Sequence, residues 1–280
     1  MRRNRRSQCL FGMVLPVLML TACAVTVQAQ TSPVPAPSPS PTPSLEREFF
    51  KNILRDQKAI WTAPLHLERS DAKWMIPSGI GFMALATTDR ITGDEIGEAN
   101  RQDRASQGIS YAGSIYGLGA VAGTFYVLGR NKHDYRARET GLLAMEALID
   151  SVVVEGALKE ITQRARPADG VERSEFFDGG SSFPSGHSTQ AWAVATVIAN
   201  EYKDRRAVQI AAYGAATAVS IARFTGHKHY LSDVLAGSAL GWGIGRYVYH
   251  AHHRESAGLS LTPKISRAAR QYGVALTWNF

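Results

Sequence analysis

Residues 179–190, GGSSFPSGHSTQ, set small residues in front of a histidine and run directly into the apolar AWAVATVIAN at 191–200. The glycines and serines read as the start of a helix that the apolar run continues. Ser185 stands where an N-cap would, and the backbone N–H groups of a helix start, with Gly186 allowing close approach, suit a phosphate or similar anion. Capping accounts for half of the motif and leaves His187 unexplained.

Working outward from this stretch, the chain reads as helical. Apolar segments lie at Trp74–Thr88, Gly108–Gly129, Thr140–Leu158, Thr189–Tyr202, Ala207–Ala222 and Leu231–Tyr249, separated by polar or glycine-containing loops. The expectation is an all-α bundle of about six core helices spanning 45–258, with a tail at 259–280. In that tail QYGVALTWNF alternates like a short strand, suited to edge pairing or docking against the bundle. Only Gly108–Gly129 approaches the length of a membrane span, and its Gly113/Gly117 and Gly119/Gly123 pairs are spaced for close helix contact. Glu146, Asp150 and Glu155 fall on successive turns of another segment, which favours a water-soluble or peripherally attached bundle over an integral one.

The N-terminal end reads differently. Residues 1–29 join four arginines to an apolar run from Leu10 to Leu20 and then to small residues, the order of a secretory signal. Val27-Gln28-Ala29 suits an ordinary signal peptidase. Leu20-Thr21-Ala22-Cys23 suits a lipobox in which Cys23 is lipidated, and an uncleaved anchor is a third option. The expected location is therefore the periplasm or cell envelope. The formal charge of +7 includes the four leader arginines, and without them it is +3, too small an excess for a nucleic-acid partner. Both cysteines, Cys9 and Cys23, lie in the leader, so the body has no thiol for a disulfide or a metal cluster. Residues 30–44 alternate proline with small residues, as an extended spacer or a stub without a role.

Two further segments flank the opening motif. In KEITQRARP, Lys159 and Arg166 are seven residues apart, two turns if the helix continues, with Pro167 as its stop; alone they would read as solvated charges at a helix C-terminus. In ARFTGHKHYLSD, His229 and Asp233 are four apart, so on a helix the carboxylate could orient the imidazole, or the two could form a surface ion pair. His227 has Leu231 where an acid would be needed.

Taken together, Lys159…Arg166-Pro167, Pro184-Ser185-Gly186-His187 and Arg223…His229…Asp233 resemble the type 2 phosphatidic acid phosphatase superfamily, which also holds bacterial acid phosphatases and vanadium haloperoxidases. The order and spacing match Lys-x6-Arg-Pro, Pro-Ser-Gly-His and Ser-Arg-x5-His-x3-Asp; the departure is Ala222 where the pattern has Ser. The resemblance implies a metal-independent phosphatase acting on phosphorylated lipids or small phosphomonoesters. Lys159, Arg166, Arg223, Ser185 and Gly186 would hold the phosphate, His229 oriented by Asp233 would attack it, and His187 would protonate the leaving group. It implies no cofactor, with vanadate as an inhibitor. The alternatives are a haloperoxidase, which would use vanadate as cofactor, and a non-catalytic anion-binding envelope protein.

Overall fold

The computed structural model describes residues 45–68, 72–94, 100–167, 175–256, 260–266 and 271–277. The leader, the spacer and the Cys23 readings fall outside these residues. Eight α-helices are found among the described residues: α1 Leu45–Thr62, α2 Ala72–Asp94, α3 Asn100–Ala112, α4 Ile115–Asn131, α5 Tyr135–Thr162, α6 Gly186–Glu201, α7 Arg206–Thr225 and α8 Leu231–Ser256. The all-α expectation holds. The count rises from six because α1 was not anticipated and because one expected segment is two helices.

That segment, Gly108–Gly129, breaks at Gly113–Ser114 with a 45° bend between 106–112 and α4. Ser114 restarts the chain as the N-cap of α4, accepting a hydrogen bond from the Gly117 N–H at 3.3 Å. A Cβ at Gly117 would lie 2.1 Å from the Ala112 carbonyl oxygen, and one at Gly113 would lie 2.5 Å from a Val219 methyl of α7. These two glycines therefore make the bend and its contact with α7 rather than a continuous helix seam. Gly119 has only an ordinary contact with Leu148, and Gly123 has no neighbour within 4 Å of an added Cβ.

The opening stretch leads into the central helix. Of the 16 residues of α6, 13 are buried, because it packs against α5, α7 and α8 on different sides. The core joins Leu143 and Leu148 of α5, Val194 and Val197 of α6, and Ile244 and Val248 of α8. A glycine row on α8 sets the closest of these approaches. Added Cβ atoms at Gly237, Gly241 and Gly245 would lie 2.7, 2.0 and 2.3 Å from the carbonyl oxygens of Ser185, Thr189 and Ala193 on α6. The two helices thus meet backbone to backbone, and their N-terminal ends come together.

The expected tail strand is present as β2, Gln271–Thr277, and its partner is β1, Ser260–Ser266, antiparallel with Ser260 opposite Thr277. Among the described residues α7 is long and apolar enough to cross a membrane, and the bent 106–131 pair meets the same test when taken as one broken span.

Candidate active site

The site is built where α5 ends and α6 and α8 begin. Helix α5 does not run on to Pro167: it stops at Thr162, and Gln163 takes a left-handed conformation with φ of 44°. Lys159 is in the last helical turn and Arg166 in the segment that follows, so the expected shared helical face does not form. Two backbone strips then run side by side. Gly180 and Ser182 donate their N–H groups to the carbonyls of Gln163 and Arg164 at 2.9 and 2.8 Å. An added Cβ at Gly180 would meet the Arg164 carbonyl oxygen at 2.1 Å, so this glycine lets the strip approach the arginine segment.

Ser185 occupies the N-cap position of α6 without making the capping hydrogen bond. It is buried, its hydroxyl accepts from Ser188 Oγ at 3.1 Å, and its N–H donates to the Asp233 carbonyl at 3.1 Å. Gly186 leaves room for a carboxylate, since a Cβ there would lie 2.7 Å from Glu155 Oε1. Glu155 in turn pairs with Lys159 at 2.6 Å and accepts from Gln190 at 3.3 Å.

His229 lies in the loop before α8, and Asp233 in the first turn of that helix. Their closest approach, Nδ1 to Oδ2, is 3.9 Å, too long for a hydrogen bond. His229 Nδ1 instead donates to the Ser182 carbonyl at 2.8 Å. A carbonyl can only accept, so Nδ1 carries the proton and Nε2 keeps its lone pair. The direct His229–Asp233 hydrogen bond anticipated from their spacing is thus replaced by a link through Ser182, whose hydroxyl donates to Asp233 Oδ2 at 2.6 Å.

Asp233 is the centre of a buried polar network that the motif spacing did not disclose. Its carboxylate also accepts from the Tyr230 N–H at 3.0 Å and from Arg164 at 2.5 Å. Arg164 extends its other terminal nitrogen to Asp89 of α2 at 2.8 Å, and Ser232 joins the two by accepting from Arg164 and donating to Asp89. The guanidinium lies between the rings of Phe176 and Tyr230, 4.7 and 4.5 Å from their centroids. Arg164 is two residues before Arg166 and Ser182 is inside the opening stretch, so both were visible in sequence; Asp89 carries no signal there.

The electrostatics show which side chains converge. Burial is the largest cause lowering the His187 pKa, to about 4, and the charges of Arg223, Lys159 and Arg166 add to it. His229 is held well below the ordinary imidazole value by burial first and then by Arg223, Arg166 and Lys159, against the pull of the Ser182 carbonyl. Three cations thus act on both imidazoles. Arg223 is half-buried, and its Nε has no hydrogen-bond partner among the described residues. A cluster with this charge and an imidazole lone pair at Nε2 suits an anion with several oxygens, opposed by a nucleophile.

Comparison with known proteins places the three motifs in a region of sequence similarity. Over 144 residues, 45% of this chain and 52% of the relative, the sequence is 29% identical to a PA-phosphatase related-family protein of Dictyostelium discoideum. It is 34% identical over 125 residues to phosphatidylglycerophosphatase B of Bacillus subtilis, covering 41% of this chain and 59% of that one. Over 70 residues it is 39% identical to lipid A 1-phosphatase of Porphyromonas gingivalis, covering 25% and 16%. The chain therefore spans less than two thirds of the length of each of these relatives. Residues 140–257 match the PAP2 superfamily model, and the three motifs fall within that range. Over residues 140–257, then, the chain is similar to the PAP2 superfamily.

Proposed function

We propose that the protein is a phosphatase that hydrolyses phosphate monoesters, with phosphorylated lipids as its substrate class, without a metal and through a phosphohistidine. The observation that carries this reading is the joint action of Lys159, Arg166 and Arg223 on two imidazoles, one of which has its Nε2 free. Lys159, Arg166 and Arg223, with the Gly186 N–H and the Ser185 hydroxyl, hold the non-bridging oxygens and stabilise the charge of the transferring phosphoryl group. His229 Nε2 attacks phosphorus in line as the ester bond breaks, and His187 gives its proton to the departing alkoxide. A water that returns its proton to His187 then attacks the phosphohistidine, releasing phosphate and freeing His229.

The names of the three relatives, two of them lipid phosphatases and the third a PA-phosphatase related-family protein, support the lipid class. So do apolar side chains left on the outside: Ile76, Ile80 and Met83 of α2 and Ile210 of α7 are all more than 60% exposed. Export to the cell envelope, with or without lipidation at Cys23, is part of the same proposal.

The test is turnover of an aryl phosphate and of phosphatidic acid in mixed micelles, with EDTA and with vanadate. Activity should persist in EDTA and fall with micromolar vanadate. His229→Ala should lower kcat at least about 10⁴-fold, and His187→Ala should harm the alkyl ester far more than the aryl ester, whose leaving group needs no proton. Full activity of His229→Ala would sink the mechanism.

A further inference from the structure

A second group of ionisable side chains lies at the other end of α5, about 20 Å along the helix from Lys159 at 1.5 Å per residue. Asp56 of α1, Glu146 of α5 and His252 of α8 bring one ligand atom each within 4.8 Å of one another. All three are fully enclosed, at 0%, 0% and 1% exposure. His252 Nε2 is 2.9 Å from Asp56 Oδ2 and 3.6 Å from Glu146 Oε2.

Several oxygens in this cluster have no donor. Asp56 Oδ1, Glu146 Oε2 and Asp150 Oδ2 are buried without a hydrogen-bond partner among the described residues. Asn52 directs its amide nitrogen to Glu146 Oε1 at 3.3 Å, and its own amide oxygen is likewise buried without a donor. Gln57 serves one oxygen of Asp150 at 2.8 Å. Three enclosed carboxylates thus face one imidazole, which even when protonated balances one of them. Buried charges without counter-charge are costly, and proteins resolve them by protonation, ion pairs or metals.

Part of the docking of α1 falls on this place, beside the half-buried Leu45 and Ile60 that pack against the core. The fully buried residues of α1 are Asn52 and Asp56, both polar, while Phe50 and Leu54 are 79% and 73% exposed. The two fully enclosed side chains of α1, an amide and a carboxylate, call for a strong polar partner.

We propose that Asp56, Glu146 and His252 bind one divalent cation of the Zn²⁺ type that fastens α1 to α5 and α8, with Asp150 and Asn52 supplying further oxygens. Two carboxylates and an imidazole suit Zn²⁺ better than Mg²⁺ or Ca²⁺, which prefer oxygen throughout. Tetrahedral ligands at about 2.1 Å from one ion lie about 3.4 Å from one another, so His252 Nε2 and Asp56 Oδ2, 2.9 Å apart here, would separate slightly to admit it. The site is structural and separate from the phosphate pocket.

The experiment uses the full chain purified in detergent from zinc-supplemented cells, with metal content by mass spectrometry and melting midpoint by calorimetry. The expected result is about one zinc per chain, a midpoint that falls by about 5 °C or more after chelation, and its return with Zn²⁺ but not Mg²⁺. Asp56→Asn/Glu146→Gln and, should that pair fail to fold, His252→Gln alone should lose both the metal and the midpoint response while still binding vanadate. Wild-type protein without bound zinc, or with a midpoint indifferent to chelation and Zn²⁺, overturns the site. Turnover is read in the same samples. Lost turnover without a midpoint shift would place a metal at the phosphate pocket and likewise overturn a structural role here.

Discussion

At the residue scale the candidate site is governed by three cations that act on two imidazoles. His187 is lowered to about 4 by burial and by Arg223, Lys159 and Arg166, so in the free protein it is neutral at pH 7. In the proposed role of acid for the leaving group it must be protonated, and a bound phosphate dianion would offset the three cations and raise its affinity for a proton. kcat/KM should therefore rise as pH falls from 8 toward 5, and vanadate should bind more tightly with uptake of a proton; a flat profile would argue against His187 as the acid. Stability runs the other way. A histidine with its folded pKa lowered takes up its proton more readily in the unfolded chain, so stability should decline from about pH 6.5 toward 4. Melting midpoints across that window, with and without phosphate, would show a smaller decline when the ligand is bound. Arg164 supplies a second residue-scale prediction. It bridges Asp233 and Asp89 with no exposed surface on any of the three side chains. Arg164→Met leaves two buried carboxylates uncompensated and should cost about 3–5 kcal/mol in denaturant titration. A loss under 1 kcal/mol would mean that the network does not bear on folding.

At the element scale the α6–α8 contact decides whether the motifs meet. Gly241 stands where an added Cβ would be 2.0 Å from the Thr189 carbonyl oxygen, while Gly243, on another face of the same helix, has open space. Gly241→Ala should force the helices apart at a cost of about 1–3 kcal/mol, and should lower kcat because α6 begins with His187 and α8 begins beside His229. Gly243→Ala should be neutral or stabilising by up to about 1 kcal/mol, since alanine favours the helix and meets nothing. Equal midpoints for the two variants would contradict the backbone contact. The bend at Gly113–Ser114 belongs to the same scale: hydropathy alone joined α3 and α4, and a capping serine separated them.

At the scale of the whole molecule, the question is what covers the outer apolar faces. Side chains such as Ile80 and Ile210 are 66% and 73% exposed, and α7 meets the length and composition of a span. Residues 45–280, expressed alone, should partition into detergent in a phase-separation assay and lose turnover when detergent is removed. A monodisperse, active, detergent-free preparation would support the water-soluble bundle expected from the acidic residues of α5. Those acids, Glu146 and Asp150, are buried within the bundle, so they do not report on what surrounds it.

Local pattern was sufficient for the helical class and for naming candidate site residues, because apolar periodicity and short motifs are properties of neighbouring residues. Lys159, Arg166, His187, Arg223 and His229 were named from sequence, and the fold brings their charges together. What the linear order could not disclose depended on contacts between distant segments: Asp89 against Arg164 across 75 residues, and Asp56 against His252 across 196. Nor could spacing alone orient His229. Four residues suggested a hydrogen bond to Asp233, but His229 lies outside α8, and the parallel strip from Gly180 to Ser182 presents the carbonyl that its proton finds first.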